Sequence, residues 1–174
     1  MTFATLSSTS KKSRVTNTKS DQYEPAVYSD KVVWADGRNG DYDIYMYDLS
    51  TSTETPMVIT GSTQFSPTIY ENRIVWEDDR NGNQDIYMYD LSTSIETQIT
   101  TNESGQCHPA IYGDRIVWID FRNGDIPDIY MATLVHRFQS MSKMNFLKTT
   151  EITENTEISS KGVFLPCFPC FLWL

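Results

Sequence analysis

Residues 76–93 read WEDDRNGNQDIYMYDLST, and nearly the same string stands at 34–51 (WADGRNGDYDIYMYDLST) and again at 118–134 (WIDFRNGDIPDIYMATL). Trp34, Trp76 and Trp118 lie 42 residues apart, as do Arg38, Arg80 and Arg122. The period runs upstream too, through Pro25, Pro67 and Pro109 and through Tyr28, Tyr70 and Tyr112. An extra residue near Pro127 in the third copy makes Asp128 the counterpart of Asp43 and Asp85. A period of this length marks a repeat architecture, in which one unit buries its apolar face only against its neighbours.

Within each unit the pattern predicts four short strands. PAVY, PTIY or PAIY is followed by a short polar turn and then by KVVW or RIVW, rich in β-branched residues. Asn-Gly follows, a pair that tolerates positive φ and signals a hairpin. DIYMYDL, a Ser/Thr-rich turn, and TPMVIT or ETQIT complete the unit. No stretch sustains an apolar period of 3.6 residues. The DIYMYDL strand is apolar on both faces, with Ile86 and Met88 on one and Tyr87, Tyr89 and Leu91 on the other. Such a strand belongs in a sheet covered on both sides. The expected fold is therefore all-β: a partial β-propeller of three four-stranded antiparallel blades, with irregular tails. A linear stack of β-meanders is the alternative.

The three repeats are placed at about 23–60, 65–100 and 107–134. Residues 1–22, rich in Ser, Thr and Lys, are expected to be disordered and hold no apolar run of signal-peptide length. Residues 135–174 form an atypical end. There TTEITENTE resembles ETQITTNES, so a strand is expected at 149–153. The closing GVFLPCFPCFLWL falls short of the ~20 residues that span a bilayer and contains two prolines. It reads as a reading-frame accident, a buried strand or a membrane-surface tail.

The string D-x-R-N-G-x-x-D-I-Y-M-Y-D-L resembles the TolB-like β-propeller repeat. More narrowly, it resembles the propeller repeats of archaeal cell-surface proteins, notably those of methanogens, over roughly residues 24–134. The resemblance implies an extracellular or cell-surface location and a binding or scaffold role. With no signal run in the chain, it also implies a fragment of a larger exported protein. Propellers host many unrelated activities, so the fold alone assigns none.

Each unit repeats a polar constellation. Asp36, Asp78 and Asp120 end the second strand, with Arg38, Arg80 and Arg122 two residues on, and Asp43, Asp85 and Asp128 open the third. An arginine flanked by two carboxylates can pair bidentately with one of them, which predicts a tie between hairpins. A ring of arginines facing an anion is the alternative. In the second unit Asp79, Asn81, Asn83 and Asp85 alternate like calcium ligands. Gly82 is out of place for such a loop, however, and Gly37 and Phe121 stand at the first-ligand position elsewhere. No cofactor is expected, with calcium as the alternative.

The connections GSTQFSP (61–67) and TNESGQCHP (101–109) differ between copies, and variable loops on a rigid scaffold carry binding. Gln64, Phe65, Gln106 and His108 are the binding candidates. His108 and His136 are the only histidines and neither recurs. No nucleophile elbow or phosphate loop is present. The expected role is non-catalytic, a carboxylate-based lyase or glycosidase being the rival, and a nonfunctional remnant a third possibility. Cys167 and Cys170 have redox-motif spacing without the βαβ context that motif needs. The net charge of −9 argues against a nucleic-acid backbone as partner, leaving a protein or a surface polysaccharide. Closed propellers have about four to eight blades, so three are expected to self-associate or aggregate through open faces.

Overall fold

The computed structural model of the chain describes residues 10–136 and 150–154. Among these residues there is no helix, and the strands form three four-stranded antiparallel sheets. The first blade orders β1 (Gln22–Tyr28), β2 (Lys31–Asp36), β3 (Asp43–Asp48) and β4 (Thr53–Val58) side by side. The second orders β5 (Gln64–Tyr70), β6 (Arg73–Asp78), β7 (Asp85–Asp90) and β8 (Ile95–Gln98). The third orders β9 (Gln106–Tyr112), β10 (Arg115–Asp120), β11 (Asp128–His136) and β12 (Thr150–Glu154). Every blade is a meander, and the strands β1, β5 and β9 pack against one another at the inner edge. This is the partial propeller that the repeat pattern implies.

The two-faced third strand explains why the blades stack. In β7, Ile86 and Met88 join a buried cluster with Ile111, Ile116, Trp118, Ala132 and Leu134 of the third blade. Tyr87, on the opposite face, joins Ile74 and Trp76 in a cluster with Val33, Ala35 and Ile44 of the first blade. Each large side chain buried in this way contributes about 1.5–3 kcal/mol, and a lone blade would leave both faces wet. The stacking is polar. Trp76 and Trp118 each lie beneath the preceding blade, whereas Val75 and Ile86 lie beneath the following one.

Three local features differ from the expectation. The first strands begin at Gln22, Gln64 and Gln106, upstream of the prolines, so much of each supposed connection is strand. A register shift interrupts each of these strands, and there Glu24, Ser66 and His108 take φ of 53°, 51° and 53° just before the proline. Second, the Asn-Gly hairpin is not a two-residue turn. Gly40, Gly82 and Gly124 donate to the carbonyls of Gly37, Asp79 and Phe121. Only the glycine of each pair has positive φ, at 109°, 97° and 116°. Third, Ser20 and Asp21, within the segment expected to be disordered, are bonded to the first blade. There Ser20 Oγ donates to Asp36 Oδ1 at 2.7 Å and Gly37 N–H to the Asp21 carbonyl at 3.1 Å.

At the other end, β12 pairs with β11 in a register that sets Ile152 opposite Leu134. Cys167, Cys170 and the rest of the apolar tail lie outside the described residues, as does the side chain of His136.

Candidate functional site

The hairpin between the second and third strands carries the repeated polar residues, and its geometry is nearly the same in every blade. In the second blade the Asp78 carboxylate is completely buried. It accepts hydrogen bonds from Trp76 Nε1 (3.3 Å), Ser62 Oγ (2.8 Å), Gln64 Nε2 (3.1 Å), the Arg80 N–H (2.9 Å) and Arg80 Nη2 (2.5 Å). The Arg80 guanidinium lies 4.2 Å above the ring of Tyr87, which stacks on Trp76. Arg38 over Tyr45 and Trp34, and Arg122 over Tyr130 and Trp118, repeat this arginine–tyrosine–tryptophan stack. Burial opposes ionisation of Asp78, but the hydrogen bonds from Arg80 and Ser62 outweigh it and hold the carboxyl below the ordinary range. Asp36 and Asp120 are held low by the same balance, against burial, through Arg38 and Arg122.

Each arginine pairs with the aspartate two residues before it, and in the first two blades also with a glutamate on the fourth strand of the same blade. Arg80 Nη1 reaches Glu96 on β8, and Arg38 reaches Glu54 on β4; neither turns to the aspartate that opens the third strand. Asp85 instead accepts from Asn81 Nδ2 (3.2 Å), Gln98 Nε2 (3.1 Å) and Thr100 Oγ1 (3.1 Å). Asn81 Nδ2 also donates to the Tyr87 hydroxyl at 2.7 Å, so the asparagine of Asn-Gly links the turn to the stack. Asn39 and Asn123 make the same two bonds in their own blades. In the first blade Asp43 Oδ1 has no donor, and burial pushes this carboxyl up. Of the calcium-like series, Asp79 accepts the Thr63 N–H, while Asn83 Nδ2 donates to the carbonyls of Asn102 and Ser104.

Gln64 and Gln106 are not available to a partner, which corrects the sequence-based expectation. Both are completely buried. Gln64 Oε1 accepts the Ile44 N–H of the first blade at 3.0 Å, while its Nε2 donates to Asp78 and to Thr60 Oγ1. It pins blade to blade. Gln106 Nε2 donates to the Ser104 carbonyl, and its Oε1 lacks a donor because Thr100 Oγ1 takes the Ile86 N–H at 2.9 Å. Phe65 is half-buried with its ring 4.7 Å from that of Tyr42. His108 alone among the four is exposed.

Two arrangements were not singled out in the sequence. On the inner strands Tyr28, Tyr70 and Tyr112 form a file of rings, with centroids 4.9 Å apart at each step, and Tyr112 is 77% exposed. Beside His108, the buried Glu77 accepts the His108 N–H at 3.0 Å and Ser66 Oγ at 2.8 Å. One ligand atom from each of Glu77, Cys107 and His108 lies within 4.8 Å of the others. Burial and then the charge of Glu77 push the Cys107 thiol up. The signal was departure from the repeat: Glu77 replaces Ala35 and Ile119, Cys107 replaces Tyr23 and Phe65, and His108 replaces Glu24 and Ser66.

No protein-family model matches the chain, and no curated protein sequence does. Solved structures do. A protein assigned as TolB from Agrobacterium tumefaciens superposes with a TM-score of 0.57 at 18% identity, over 68% of this chain and 47% of its own. TolB from Acinetobacter baumannii gives 0.55 at 20% identity, over 63% and 29%. A puromycin-hydrolysing peptidase from Mycobacterium tuberculosis gives 0.55 at 12% identity, over 68% and 20%. The fold is that of TolB-like propeller blades. The chain spans less than half the length of each of these proteins, and identities this low speak for the fold alone.

Proposed function

We propose that the chain is a non-catalytic binding module of the cell-surface propeller type, with a protein or a surface polysaccharide as its partner. The observation that carries this reading is the file Tyr28–Tyr70–Tyr112, which runs across all three blades and opens to solvent at Tyr112. Tyrosine offers a large rigid face and a hydroxyl at little conformational cost, which suits both sugar rings and protein surfaces. The recurrent charged residues, by contrast, are engaged within the blades: Asp78 with five donors, and Arg80 with Asp78 and Glu96. The archaeal, extracellular assignment rests on the resemblance of the repeat string.

The three blades are part of a larger ring, completed by further blades or by a second copy. Ile129 on the outer face of the third blade is 73% exposed, whereas Ile44 and Ile86 at the same blade position are fully buried. The module is tested by measuring binding to arrayed surface polysaccharides and immobilised envelope proteins, with Tyr112→Ala, the exposed member of the file, in parallel. Loss of binding at unchanged melting temperature is the expected result. Turnover of a polysaccharide or of a peptide amide by the purified chain would replace this reading with an enzymatic one.

A further inference from the structure

We infer that Glu77, Cys107 and His108 form a zinc site that joins the second blade to the third at the inner edge of the propeller. Three different donor types converge from two strands, a carboxylate on β6 and a thiol and an imidazole on β9, each within 4.8 Å of the others. Ligand atoms on a tetrahedral zinc stand about 3.3–3.8 Å apart, so the set is preformed to within a small side-chain rotation. The exposed His108 is free to make it.

A second observation points the same way. Glu77 is only 6% exposed, and the other blades hold Ala35 and Ile119 at its position. A buried carboxylate with no cationic partner is costly. Among the described residues none of the ion pairs includes Glu77; its partners are Ser66 Oγ and the His108 N–H, both neutral. A dication between these three groups supplies the missing charge.

The donor set selects the metal. Calcium and magnesium take oxygen ligands, and only one of the three groups offers oxygen. Thiolate with imidazole and carboxylate suits zinc. As the Zn–S bond forms, the Cys107 thiol releases its proton to solvent. Three protein ligands leave the fourth position on the solvent side of His108, where a water or a partner's donor completes the tetrahedron.

The test uses the full chain carrying Cys167→Ser and Cys170→Ser, so that the tail thiols take no metal. After chelator treatment, Zn2+ is titrated by calorimetry and Co2+ by absorbance. The expected result is one saturable site, a thiolate-to-cobalt charge-transfer band, and a rise in melting temperature with Zn2+. Cys107→Ser should abolish the band, and His108→Ala should weaken Zn2+ binding by about tenfold or more. The His108 side chain is exposed, so His108→Ala should melt like its parent without metal, which keeps the test valid if Cys107→Ser folds poorly. No saturable uptake, a cobalt spectrum without the thiolate band, or unchanged affinity in His108→Ala would overturn the site.

Discussion

At the scale of single residues, Arg80 shows how one side chain meets several demands. Its guanidinium pairs with the buried Asp78, reaches Glu96 and covers the Tyr87 ring. Arg80→Ala leaves Asp78 with neutral donors only, and since Arg80 itself is partly solvated the expected loss is about 1–3 kcal/mol in urea melts. Arg80→Lys keeps the charge but not the planar fork, and should recover only part of it. The same carboxylates govern acid stability. Asp36, Asp78 and Asp120 are held below their ordinary range in the fold, so their contribution is complete above the unfolded value of about 3.9 and fades as pH falls through the folded values. Asp43, raised by burial, works in the opposite sense. Asp48, held low by hydrogen bonds from Ser50, adds to the first group, so the melting temperature should hold level from neutral pH to about 5 and then fall. In Arg80→Ala, Asp78 loses the partner that holds it low, so the fall should start from a lower melting temperature and be shallower. A profile unaffected by that substitution would disconnect Asp78 from acid unfolding.

At the scale of elements, Gln64 replaces a supposed contact loop with a structural pin. Gln64→Leu removes the acceptor for the Ile44 N–H and a donor to Asp78, both buried, and should cost about 1–3 kcal/mol while leaving partner binding intact. Loss of binding without loss of stability would restore the earlier assignment. The sequence showed the strands and the stacking because the 42-residue period held Trp, Tyr and Ile at fixed places and made the third strand apolar on both faces. Gln64 falls outside the strand predicted from Pro67 onward, in the connection 61–67. Ser20–Gln22, Ser62–Gln64 and Ser104–Gln106 extend the period upstream and place the glutamines among the fixed residues. Glu96 was hidden for another reason. Its pairing with Arg80 depends on how a fourth strand lies beside the third, and spacing along the chain does not encode that. The cluster at Glu77 was invisible to a search for what recurs, since it consists of what does not.

At the scale of the whole molecule, the outer face of the third blade stands out for its exposed apolar position. Val117, Ile119, Ile129 and Met131 occupy the positions that Val75, Glu77, Ile86 and Met88 fill, buried, in the second blade. Ile129 is left at 73% exposure. We expect the purified chain to self-associate through this face, as seen by light scattering, and Ile129→Lys to shift it towards monomer without lowering helix-free β content in circular dichroism. A monodisperse wild-type monomer would count against it.

The direction in which the blades face has a consequence for synthesis. Because Trp76 and Trp118 are each roofed by the blade before, a blade leaving the ribosome meets its roof already built, and the array grows one way. The two possible two-blade pieces are therefore unequal. Without the third blade, Val75, Ile86 and Met88 are uncovered, but the Ile44–Gln64 pin survives. Without the first, Ile74, Trp76 and Tyr87 lose their cover and the pin goes with it. The piece containing blades one and two should melt at the higher temperature, and equal melting would mean that the array has no preferred direction of growth.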